Sequence, residues 1–316
     1  MDRRQFVLGT AAALAVPRSL GRLTGGRPLA LVTADLEARI AAVELTGGRV
    51  VRHIATLEDP RSIESVLQTD AIVAHTAEGA VSLIDGRQLR VRRVLRGFSE
   101  PRYTAAARDG RHAYVTDSGT GELVVVDVMR GRVVHRAEVG AGGRHLTLGA
   151  SDRRVWISLG TKAERVAIVD LSEPVRPRVL ARLQPPFLAH DVGFAPDGRF
   201  WVTSGDRRSL ALYDRRGGLL RTLGADAPPQ HVTFLGRRAY VTSGDDGILR
   251  VHSLDGTLLR SEPVPLGSYN VDGRWGLILT PSLAQGTLCV ANSRGRIVTR
   301  TRVARSSHDA CFVMSA

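Results

Sequence analysis

Three features of the sequence predict an all-β fold, a seven-bladed β-propeller of four-stranded blades. First, a short apolar strand ending in Val-Thr or a close relative recurs seven times. The copies lie at Val32-Thr33, Val73-Ala74, Val115-Thr116, Ile157-Ser158, Val202-Thr203, Val241-Thr242 and Leu279-Thr280. Second, their spacings are 41, 42, 42, 45, 39 and 38 residues, and a period of about 40 residues holding several short strands is that of a propeller blade. Third, the N-terminal repeat lacks a first strand and the C-terminus carries a spare one.

The elements follow in chain order. Blade one has a second strand at 29–33, a third at 40–45 and a fourth at 50–55. Blades three, four and five span 102–140, 144–183 and 189–224, with turns such as Asp197-Gly198 and Gly217-Gly218. Blade six is the clearest, with strands at 231–234, 239–243, 248–253 and 258–264 separated by Gly236-Arg237-Arg238, Asp245-Asp246-Gly247 and Asp255-Gly256. Apolar and β-branched runs bounded by such turns are strand and hairpin signals. Blade seven reads as 269–272, 277–281, 287–292 and 297–303. The spare C-terminal strand, 308–313, is expected to pair through 309–313 with 29–33, closing the ring and removing exposed sheet edges.

These repeats resemble the YVTN family of bacterial β-propellers. The likeness is carried by Ala195-Pro196-Asp197-Gly198, Ala113-Tyr114-Val115-Thr116, Ala239-Tyr240-Val241-Thr242, Val124-Val125-Val126-Asp127 and Ala167-Ile168-Val169-Asp170. It covers residues 28–316 and implies the propeller fold, with no particular activity. No Trp-Asp dipeptide is present, which argues against a WD-repeat propeller.

Residues 1–27 read as a signal segment and linker. Asp2-Arg3-Arg4-Gln5-Phe6-Val7-Leu8 resembles the twin-arginine export motif, and an apolar run without a polar face follows at 7–16. That run is too short for a transmembrane helix. The expected location is therefore extracellular, periplasmic or at the cell envelope, reached by a route that carries folded proteins and favours a cofactor loaded beforehand.

The net charge is +13, and all but one of the 44 basic residues are arginine, Lys162 being the exception. The arginines are spread over every blade and aromatic content is 5%. Nucleic acid is therefore not the expected partner; weak attraction to an anionic cell envelope is, and the chain is expected to be a monomer. Cys289 and Cys311 fall in different blades and are expected to be buried thiols, too far apart for a disulfide.

The start of the innermost strand is the informative position for function. Around the ring it is occupied by His308, Ser62, Tyr103, His145, His190, His231 and Asn270. Four of nine histidines thus share one position of a seven-fold ring, and propeller topology puts them around one mouth of the central channel. Asp35, His75, Asp117, Ser204, Asp206, Ser243 and Asp245 reach the same face from loops after the second strands. The expected ligand-binding residues are His145, His190, His231, His308, Tyr103 and Asn270. Within them, His145, His190 and His231 from consecutive blades form a candidate metal site, because imidazole suits Zn, Cu, Fe and Ni. The alternative is that polar residues here merely satisfy backbone groups.

Glu64 and Asp272, two residues below the ring, flank His308; a role in acid–base chemistry competes with pairing to nearby arginines. The other histidines, His53, His112, His135 and His252, read as surface or half-buried. No nucleophile elbow, P-loop or dinucleotide fingerprint is present. Two functions are expected to compete. One is a non-catalytic binding protein that holds a small molecule, metal or partner loop at its His-rich mouth. The other is a propeller enzyme, a lactone hydrolase or metal-dependent lyase, using the same ring. No specific cofactor is implied beyond a transition metal ion.

Overall fold

The computed structural model describes residues 26–225 and 227–316; the twin-arginine-type segment lies outside them. The described residues form 28 strands, numbered β1 to β28 in chain order, in seven four-stranded antiparallel sheets. Six blades are built from consecutive strands. The seventh sheet joins β28 (Ala310–Ser315) to β1 (Arg27–Ala34), with Leu29 opposite Val313 and Val32 opposite Ala310. The ring therefore closes through the C-terminal strand, which starts and ends two residues later than the 308–313 that the sequence indicates. Every residue of β28 is buried.

The repeat explains the layering. Second and third strands are covered on both faces by neighbouring blades, so Ala113 to Thr116 and Leu123 to Val126 are all buried and read as continuous apolar runs. Fourth strands form the outer rim and are exposed and arginine-rich, as in β7 (Arg90–Arg96). In all seven blades the third and fourth strands slip register once, for example between Leu83 and Ile84 or between Leu212 and Tyr213. A bulge and a row of charged side chains keep these open edges from pairing with another chain.

Blades are joined by the residue that precedes each Val-Thr copy. In blades three to six it is aromatic: Tyr114, Trp156, Trp201 and Tyr240. Each wedges against the following blade. Trp156 lies 3.9 Å from Phe200 and Trp201 5.6 Å from Phe234, ring centre to ring centre. The Tyr240 hydroxyl donates to the Ser293 carbonyl oxygen at 2.6 Å.

The innermost strand of blade seven is Asp272–Arg274 rather than 269–272, because the chain before it is held in turns, with Ser268 N–H donating to the Pro265 carbonyl and Tyr269 N–H to that of Gly267, and ladder pairing begins only at Asp272. His112 and His252 are buried rather than superficial: His112 bonds Asp109 at 2.6 Å and His252 bonds the Gly256 carbonyl at 3.2 Å. Cys289 and Cys311 are both buried and unbridged, as expected.

Candidate functional site

The threonine of the repeat is what holds the ring in place. Thr116 Oγ1 donates to the Arg144 carbonyl at 2.6 Å, Thr203 Oγ1 to the Gln230 carbonyl at 2.6 Å, and Thr242 Oγ1 to the Tyr269 carbonyl. Each acceptor belongs to the next blade and immediately precedes its ring residue, His145, His231 or Asn270. The same hydroxyls reach back to their own innermost strand, where Thr116 accepts from the Tyr103 amide at 3.2 Å and Thr203 from the Asp191 amide at 2.9 Å. Blade two has Ala74 instead, and Thr76 takes over by donating to the Pro101 carbonyl at 2.7 Å. Thr280 makes no such bond.

Three innermost strands slip register at the ring itself, between Pro60 and Ser62, Pro101 and Thr104, and Ala189 and Val192. Such bulges re-aim side chains. Here Tyr103 and His190 sit within the slip and join the aromatic cluster at the channel mouth.

His145, His190 and His231 come together. Their ring centres are 4.4 Å (145–190), 4.6 Å (145–231) and 5.1 Å (190–231) apart. One nitrogen from each lies within 4.8 Å of the other two. In all three imidazoles Nδ1 is the nitrogen engaged with the protein. His190 Nδ1 donates to the Thr161 carbonyl at 3.0 Å, His231 Nδ1 faces Asp191 at 3.2 Å, and His145 Nδ1 lies 3.4 Å from Ser158 Oγ. That pattern leaves Nε2 as the free donor atom of each ring. His145 Nε2 is buried without a hydrogen-bond partner, and a buried polar atom so placed requires a reason. Burial, then the neighbouring imidazoles, hold His145 well below its ordinary pKa; burial and His231 bring His190 down to about 4. His145 and His190 are therefore neutral at pH 7, with their lone pairs available.

The other ring residues surround this trio. Tyr103 lies 4.1 Å from His145, 5.9 Å from His231 and 6.2 Å from His308 between ring centres, with the Arg144 guanidinium 6.0 Å over its face. Burial raises its phenol pKa far above the ordinary value. His308 stands apart from the trio. Its Nδ1 donates to the Arg61 carbonyl at 2.6 Å, and Asn270 Nδ2 donates to the His308 carbonyl at 2.8 Å. Burial, then Arg61, keeps this imidazole neutral too. Ser62 bonds Thr104 in the next blade. The loop residues on the same face mostly serve the loops: Asp117 accepts two amides, His75 bonds Ser82, and Asp245 accepts from Tyr269 and Gln230.

Below the ring the channel widens into a cavity of about 170 Å³, lined by His145, His231, Tyr103 and Asn270 above and by Asp191, Asp309, Glu64 and Asp272 around it. Asp309 is enclosed by protein, and its pKa is pushed up to about 7, with amide bonds from Ile63 and Ala310 opposing burial. Burial pushes the Glu64 pKa up to about 8 and raises that of Asp272; Asp272 also raises Glu64, and Arg274 opposes the shift in both. Among the described residues neither forms an ion pair within 4.0 Å, so the expected pairing with arginine is reduced to one guanidinium acting at a distance.

Asp191 and Asp309 were not singled out from sequence, yet they do the same job in different blades. Asp191 accepts the amides of Val192 and of Val232 in the next blade; Asp309 accepts those of Ala310 and of Ile63 in the next blade. The signal was present as a His-Asp dipeptide that occurs at two ring positions, 190–191 and 308–309. The Thr161 carbonyl had no sequence signal, since any residue supplies a carbonyl.

No protein-family model matches the chain, and no curated protein matches it. Solved structures do. A functionally unknown protein from Desulfotomaculum acetoxidans superposes with a TM-score of 0.78 at 13% identity, over 91% of this chain and 99% of its own. A provisionally named 6-phosphogluconolactonase from Bacteroides fragilis gives 0.73 at 10% identity, over 92% and 99%. Apo AztD from Citrobacter koseri gives 0.68 at 11% identity, over 92% and 98%. At these identities the likeness is one of architecture: the chain is a seven-bladed β-propeller with a buried histidine cluster at its axis.

Proposed function

We propose that this chain is an exported, YVTN-like propeller that binds a divalent transition-metal ion through Nε2 of His145, His190 and His231. The observation that carries this reading is the coincidence of three imidazoles whose Nδ1 is engaged by the protein and which bring one nitrogen each within 4.8 Å of the other two. Metal-binding histidines are oriented in this way, by a carbonyl or carboxylate on the far ring nitrogen. A tetrahedral ion with nitrogens at 2.0–2.1 Å needs them about 3.4 Å apart, which small ring rotations from the present spacing reach. Three protein donors leave a fourth position open to the channel, where Tyr103 and the carboxylate-lined cavity set what can approach.

The test is elemental analysis and calorimetric titration with Zn²⁺ and Cu²⁺. One ion per chain is expected, absent from the His190→Ala, His231→Ala double variant. A folded wild-type protein that takes up neither ion refutes the reading.

A catalytic reading is favoured by one observation, that the carboxylates Glu64 and Asp309 line the same cavity as His145 and His231. A bound ion supplies Lewis-acid activation, and these groups, with their raised pKa values, are placed to move a proton. Clearance of a lactone or lyase substrate panel, abolished by His231→Ala, is the result that supports it. An inert protein that retains its ion leaves binding as the function.

A further inference from the structure

The two faces of the propeller differ in charge. Segments joining second to third strands, and each blade to the next, lie on the face of the histidine ring. Among the described residues they carry eleven carboxylates and six cations. Segments joining first to second and third to fourth strands lie on the opposite face, and they carry thirteen arginines and six carboxylates. The chain's positive charge is therefore concentrated away from the ring, on one face and the outer rim.

Large apolar side chains protrude among those arginines. Leu67 and Met129, 57% and 66% exposed, and Val175 sit on turns of blades two, three and four. Arg87, Arg130 and Arg176 are exposed on the same three blades. Arg130 and Arg176 approach Asp127 and Glu173 only at 3.7 and 3.8 Å. Leu67 has a φ of +48°, left-handed backbone that disfavours a branched side chain. Its side chain leans over Gly110 on the neighbouring turn of blade three, yet more than half of it stays exposed. Finally, β1 is entered from this face at Arg27, so the apolar run at 7–16 is joined to it.

We propose that this face docks on an anionic lipid bilayer, with Leu67, Met129 and Val175 entering the headgroup region and Arg87, Arg130 and Arg176 meeting the phosphates. The histidine mouth then faces away from the membrane. Basic residues account for attraction to any polyanion, but protruding apolar tips gain only where there is an apolar layer to enter. The inference stands independently of the metal reading.

The test is co-sedimentation of the full chain with phosphatidylcholine vesicles, with and without phosphatidylglycerol. Binding is expected only with phosphatidylglycerol. It should weaken roughly 100-fold in Arg87→Ala, Arg130→Ala, Arg176→Ala and roughly 10-fold or more in Leu67→Ser, Met129→Ser, Val175→Ser. All six positions are exposed, so thermal melting should be unchanged. Wild-type binding by both triple variants assigns attachment to the preceding segment and overturns the proposal. Loss in the arginine variant alone, with equal wild-type affinity for dextran sulfate, assigns the face to soluble polyanions and also overturns it. So does self-association abolished by the apolar triple variant without any vesicle binding.

Discussion

Asp191 Oδ2 meets His231 Nδ1 at 3.2 Å and accepts the backbone amide of Val232 at the same distance. One carboxylate thus orients a ring imidazole and holds the strand that carries it. Replacing a partner of this kind typically lowers metal affinity 10–100-fold. Asp191→Asn is expected to do so in a Zn²⁺ titration, with a smaller change in melting temperature because an amide oxygen can still accept from Val232. Unaltered affinity would detach Asp191 from the metal site.

Thr203→Val removes a hydroxyl that both donates to Gln230 and accepts from Asp191. It leaves a buried carbonyl and a buried amide unsatisfied, at a cost of about 2 kcal/mol or more. The valine is nearly the same shape, so the loss reports the hydrogen bonds and not a cavity. Chemical denaturation measures it; a change below about 0.5 kcal/mol would show that the clip contributes little.

Glu64 bears on the pH dependence of stability. Its pKa is higher folded than unfolded, so at intermediate pH the folded chain keeps a proton that the unfolded chain has released. Asp309 behaves alike, up to about 7. Their contribution is fully present below ordinary carboxylate values and is lost as pH rises through neutrality. The imidazoles act in the opposite sense: His145, His190 and His308 are depressed, so stability falls as pH drops below about 6.5 and on toward 4 for His190. Glu64→Gln should flatten the alkaline limb of a melting-temperature profile and leave the acid limb in place. A profile parallel to wild type at every pH contradicts this.

Deleting 308–316 removes β28, the only partner of β1 on its inner side. The cut also exposes Leu29, Leu31 and Ala30, which are fully covered in the closed ring. Light scattering should report aggregation and calorimetry a large fall in melting temperature. A truncated protein that melts like the full chain would refute closure by this strand.

The architecture and the set of aligned ring positions are legible in the amino-acid sequence. A blade is a local unit with a two-residue side-chain period and hairpin turns, so its strands are legible from nearby residues. A seven-fold repeat then aligns equivalent positions without any tertiary information. His145, His190, His231 and His308 were found in that way. Which of them converge is set by the three-dimensional packing of the blades. His308 occupies the same aligned position as the trio, yet the Arg61 carbonyl and Asn270 hold it away, while bulges and the Thr161 carbonyl turn His190 inward. Those decisions rest on backbone carbonyls and register slips, to which any sequence contributes alike. The charge difference between faces is intermediate: its residues are plain in the chain, but which turns share a face follows only once the strands are counted into blades.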